Sequence, residues 1–128
     1  MTIFAAFLLI AQIFFAPAQE FQELPPLDIT AADIVAITVE YNILKEDNPV
    51  FCRQFYGMTD YQSKTITICT LPDDATQRRT MLHEIVHVMY WKRGINSGGP
   101  YEPSVEKKAD ELYREFYGIN APKETKTE

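Results

Sequence analysis

One octapeptide limits what this chain can fold into more than any other stretch: Thr80-Met81-Leu82-His83-Glu84-Ile85-Val86-His87. On an α-helix, residues i and i+4 stand one above the other on the same face. His83 and His87 can then turn two imidazole nitrogens towards one metal ion. Glu84, one step round the helix, can reach a water beside that ion. The bland alternative is a pair of ordinary histidines on an amphipathic helix. The apolar residues Met81, Leu82, Ile85, Val86, Val88 and Met89 fall on more than one side, which predicts a helix buried around most of its circumference. Its expected span is 75–93. Leu71-Pro72-Asp73-Asp74 leads into it, Asp74 and Gln77 have the spacing of a capping box, and Gly94 closes it behind Lys92 and Arg93.

Both histidines of the chain lie inside this motif, so a third protein ligand must be a carboxylate or a cysteine. Downstream, Asn96-Ser97-Gly98-Gly99-Pro100 is a loop. Tyr101-Glu102-Pro103-Ser104 then leads into another helix, with Val105, Ala109, Leu112 and Phe116 as its apolar stripe and Gly118 as its stop. Glu102 and Glu106 are the candidate ligands. Glu102 precedes a proline and is biased out of helical geometry, which favours Glu106.

These residues resemble a known family. His83-Glu84-Ile85-Val86-His87 followed by Glu106-Lys107-Lys108-Ala109-Asp110 looks like the gluzincin pattern, H-E-x-x-H and then E-x-x-A-D on the next helix. Thermolysin-like and neprilysin-like peptidases share it, and the approach from Gln77 to Glu84 is similar to that of small ImmA/IrrE-like forms. Position 93 is an arginine, where the metzincin pattern would place a third histidine. The resemblance implies an α+β, zincin-like domain with Zn2+ held by His83, His87 and Glu106. It implies Glu84 as general base in peptide-bond hydrolysis, with a peptide or protein as substrate. It also implies that Asp110 accepts a hydrogen bond from the far nitrogen of a zinc-bound histidine. Larger gluzincins stabilise the oxyanion from an extra subdomain that this chain has no room for, which leaves Tyr101 as the candidate here. The competing reading is a catalytically inactive, zinc-stabilised binding module.

The rest of the chain bounds the context. Met1 to Ala18 carry no charged side chain, form an apolar run and end in Ala16-Pro17-Ala18, so 1–18 reads as a signal peptide or, if uncleaved, a membrane anchor. That predicts a secreted or periplasmic protein. Residues 19–29 read as a Pro-bearing extended lead-in, 30–120 as a single domain expected to be monomeric, and 121–128 as a flexible charged tail. Thr30 caps a first helix, expected to run through Ile34 to about Leu44 until Asn48-Pro49 breaks it, with a strand as the alternative. A short antiparallel hairpin is expected over 50–70, with strands at 51–56 and 65–69, a turn near Asp60-Tyr61 and a bulge or turn approach at Gly57. It would bring Cys52 and Cys69 opposite one another for a disulfide. The net charge of −6 and the lack of a basic patch argue against nucleic acid as a partner. Arg78-Arg79 reads as an exposed basic pair, and Trp91 as a core or rim residue.

Overall fold

Thr30 opens the first helix with a reciprocal cap: its hydroxyl accepts from the Asp33 amide at 3.2 Å, and the Asp33 carboxylate accepts from the Thr30 amide at 2.9 Å. The computed structural model describes residues 23–122, so the expected signal peptide or anchor and the charged end of the tail lie outside the described residues. Helix α1 spans Ala31–Glu40 and gives way at once to strand β1, Asn42–Glu46. The single helix expected from Ile34 to Leu44 therefore stops early. No glycine or proline marks the break. Tyr41 turns extended, and the following residues pair in parallel with β3, Asn42 opposite Thr65 through Glu46 opposite Cys69. Strand pairing overrides weak helix propensity here.

Asn48-Pro49 starts a helix rather than merely ending one. The Asn48 side chain accepts from the Val50 amide at 2.8 Å, and Pro49 takes the first turn of α2, Pro49–Gln54. The strand expected at 51–56 is thus replaced by this short helix. The hairpin is β2, Gly57–Asp60, and β3, Thr65–Cys69, turning where expected: Asp60 Oδ1 accepts from the amides of Gln62 and Ser63. The sheet order is β1-β3-β2, which leaves β1 and β2 at the edges. Cys52 and Cys69 are bonded, with Cα atoms 5.5 Å apart. The bridge ties α2 to β3 and does not cross the hairpin.

Helix α3, Asp74–Lys92, is the centre of the molecule. Asp73, not Asp74, is its N-cap, accepting from the Thr76 amide at 2.8 Å. Gln77 donates instead to the carbonyls of Thr70 and Pro72, fastening the β3–α3 turn. Eleven of its nineteen residues are buried, so it has no solvent face wide enough to give an apolar stripe. One side packs Ile85 and Val88 on Ile66 and Ile68 of β3 and Ile37 of α1. The other packs Leu82, Val86 and Tyr90 on α4, Glu102–Tyr117, through Val105, Ala109 and Leu112. Gly94 and Gly118, at φ 77° and 72°, end the two helices in the left-handed conformation.

The described part of the lead-in joins that second core. Leu27 and Ile29 are buried there, the Tyr90 hydroxyl donates to the Pro25 carbonyl and Arg93 donates to that of Pro26. It meets α4 beside Ser104, Lys107 and Glu111, roughly the reverse of the α4 face described next. No helix among the described residues is long and apolar enough to cross a membrane, and the disulfide is compatible with an extracellular setting.

Candidate metal centre

Two rows of side chains, each at i, i+4 spacing, face one another between α3 and α4. Arg79, His83 and His87 form the first, Glu102, Glu106 and Asp110 the second. The helices run antiparallel, so the rows interleave. Glu102 reaches His87 Nε2 through Oε1 at 3.2 Å and His83 Nε2 through Oε2 at 3.1 Å. Glu106 reaches His83 Nδ1 through Oε1 at 3.2 Å and pairs with Arg79 through Oε2. Asp110 accepts from Arg79 Nε at 3.2 Å.

The first rung is where a metal ion fits. The two Nε2 atoms are 3.1 Å apart, and His83, His87 and Glu102 each offer a ligand atom within 4.8 Å of the others. Ligands about 2.0–2.1 Å from one tetrahedral ion lie ~3.3–3.4 Å from each other, close to the separations seen. Both rings are buried, His83 at 0 % and His87 at 6 % exposure, and each is held at its other nitrogen. Glu106 Oε1 can accept from His83 Nδ1–H. Ser97 Oγ, fully buried in the loop before α4, lies 2.6 Å from His87 Nδ1 and can do the same there. Protons kept on both Nδ1 atoms leave both Nε2 lone pairs aimed at one point.

The carboxylate that joins the two histidines in a cluster able to hold a metal ion is therefore Glu102, where Glu106 was expected. A 3₁₀ turn at Gly99–Tyr101 runs directly into α4 and delivers Glu102 in helical geometry, φ −53° and ψ −42°, despite Pro103. Pro103 sits in the first helical turn, where its missing N–H has no helical acceptor to lose. The backbone bias against a residue preceding proline is real but small beside the packing of a sixteen-residue helix on α3. Glu106, one turn on, takes the role of bracing His83 that was expected of Asp110, and Asp110 is one rung further along on Arg79. The carboxylates respond accordingly. Burial alone would raise the Glu102 pKa, but when the imidazoles carry protons on Nε2 their hydrogen bonds and charge prevail and hold it at about 2. Glu106 is likewise lowered against the pull of its burial, by His83 and then Arg79.

Glu84 sits where expected, beside the cluster and only 2 % exposed. Its Oε1 accepts from the Thr59 hydroxyl of β2 at 2.7 Å. An open cavity of about 220 Å³ is lined by Glu84, His87, Glu102, Thr59 and Tyr61, among others. Tyr61 is the tyrosine of this cavity, its ring stacked on Trp91 at 4.2 Å and 6°. Tyr101 ends the 3₁₀ turn and is not among the residues lining it. Trp91 is half-exposed at the rim, one turn beyond His87. Arg78 is exposed as expected, but Arg79 is 1 % exposed, so the pair divides between surface and core. Arg79, Ser97 and Thr59 were not singled out as site residues. For Arg79 a signal existed, since it continues the histidine row by one turn; for Ser97 and Thr59, brought in by loop and sheet, none did.

No protein-family model, no curated protein and no solved structure matches the chain.

Proposed function

We propose that this protein is a zinc-dependent endopeptidase of gluzincin type. The observation that carries the reading is the convergence of His83, His87 and Glu102 beside Glu84, with His87, Glu102 and Glu84 lining an open cavity. Two neutral imidazoles and one carboxylate are the donor set of catalytic zinc, with a fourth position left for water or substrate. When bound, zinc lowers the pKa of a water towards ~7 and polarises a carbonyl.

The chain's own residues account for the remainder. His83 and His87 bind, with Glu106 and Ser97 fixing their rings. Glu84 takes the proton of the attacking water as general base and delivers it to the leaving amine. Thr59 holds one Glu84 oxygen, so that the other is the base. Thr59 also belongs to β2, an edge strand whose residues line the cavity. An extended peptide paired to such an edge would run past Glu84, which suits a peptide or protein substrate.

Glu84→Gln is the direct test. It should retain zinc and lose cleavage of a peptide library by at least ~10²-fold, the lower end of what a positioned acid–base group supplies. Library cleavage at the parent's rate by this variant would exclude the mechanism. The near-complete burial of Glu84 favours a second reading, a zinc-stabilised binding module, and a parent that holds zinc yet cleaves nothing would establish it.

A further inference from the structure

Arg79 has no part in the chemistry just described, yet it is the largest fully buried side chain among the described residues. A buried guanidinium is costly unless its charge and donors are matched. Both carboxylates that match it stand on α4, and His83 of its own helix lies beside it. Nη2 pairs with Glu106 Oε2 and lies 3.3 Å from the Glu106 carbonyl, Nε donates to Asp110 at 3.2 Å, and Nη1 lies 3.4 Å from His83 Nδ1. Both oxygens of Glu106 are thereby engaged, one by Arg79 and one by His83. That matters because Glu102 and Glu106 carry the same ligating group one turn apart on the same face, and both contact His83.

We propose that Arg79 is a positioning residue that decides which of the two glutamates serves the metal. It anchors Glu106 on His83 Nδ1 and away from the ion, so that the protein supplies three ligands and the fourth position stays open. Arginine suits the task because its planar fork serves two carboxylates at once, which a lysine ammonium cannot do in the same geometry. The inference rests on the metal-binding half of the proposed function and not on peptide cleavage.

The test uses the purified full-length protein and Co2+ as a spectroscopic probe, with metal affinity measured by chelator competition. Arg79→Met should weaken binding about 10–100-fold, as loss of a ligand's support generally does. It should also change the visible cobalt spectrum as the released Glu106 carboxylate enters the coordination sphere. Adding Glu106→Gln to Arg79→Met should return the spectrum to that of the parent, because the amide is a far poorer ligand. A residue that merely stabilised the fold would not give this reversal. Parent-like spectrum and affinity in Arg79→Met would overturn the proposal, as would an altered spectrum that persists in the double variant. Should Arg79→Met fail to fold, Arg79→Lys replaces it: a smaller spectral change is expected, and none overturns the proposal. A parent that takes up no cobalt would sink the metal reading itself, and this inference with it.

Discussion

Glu102 and Glu106 approach opposite nitrogens of a single ring, His83, at 3.1 Å on Nε2 and 3.2 Å on Nδ1. Two chemically identical side chains thus have different tasks, set by which face of the imidazole each meets. Removing them should cost differently. Glu106→Gln keeps an acceptor oxygen for Nδ1–H and should weaken zinc binding by no more than about 10–100-fold. Glu102→Ala deletes a ligand and should weaken it by considerably more. Chelator competition on both variants orders the two effects. Equal losses, or a larger loss from Glu106→Gln, would reverse the assignment.

The motif helix, its glycine stop, the turn at Asp60 and the N-cap at Thr30 were legible because each is written in a few neighbouring residues whose local chemistry tertiary contacts do not disturb. His83, Glu84 and His87 were legible for the same reason. The carboxylate that completes the cluster was not. Glu106 is favoured by the backbone bias at Glu102 and by the resemblance over Glu106-Lys107-Lys108-Ala109-Asp110, and neither takes in the row of three acids at i, i+4 that faces Arg79, His83 and His87. Strand β1 was hidden because its residues suit a helix as well as a strand, and only its partner β3 decides between them. Helix α2 was misread where Asn48-Pro49 could end one helix or cap the next.

Gly57 has a structural reason other than the bulge expected of it. It opens β2, paired with Ile68, and an added Cβ would lie 2.7 Å from Thr80 Cγ2 and 3.3 Å from Glu84 Cγ. The missing side chain lets the edge strand lie close against α3 beside Glu84. Gly57→Ala should cost roughly 1–3 kcal/mol of stability, the usual range for overpacking. It should also lower peptidase activity by more than it lowers zinc affinity, because Glu84 moves while the ligands do not. Urea unfolding and zinc competition on one preparation measure both; unchanged stability would mean that the contact relaxes without cost.

The Cys52–Cys69 bridge closes a span of 17 residues and is the covalent tie between α2 and the sheet. On the chain-entropy model a loop of this size contributes about 3 kcal/mol, chiefly by restricting the unfolded chain. Cys52→Ser/Cys69→Ser should therefore move the urea midpoint down by that equivalent while zinc stoichiometry is kept, since neither sulfur belongs to the metal cluster. Loss of zinc in the double variant at temperatures where it stays folded would tie the bridge to the site.

Tyr61 carries a pH signature. Its phenol is held well above the ordinary tyrosine range, first by burial and then by the nearby negative charges of Glu84, Tyr41 and Glu102, all of which oppose formation of a phenolate. The stacked Trp91 ring covers one face. An acid whose folded pKa is raised contributes stability that is fully present below its unfolded value, about 10 for tyrosine, and is lost as pH rises through the folded value. Above pH ~10 the unfolded chain has released this proton while the folded chain retains it, so stability should fall with pH more steeply in the parent than in Tyr61→Phe. A rapid near-ultraviolet titration gives the complementary reading. Tyr61→Phe removes a phenol that stays protonated at pH ~11, so parent and variant should form the same number of tyrosinates by that point. One tyrosinate fewer in the variant would show that Tyr61 ionises normally, and that the cavity wall beside Glu84 is open to water rather than closed by the Tyr61–Trp91 stack.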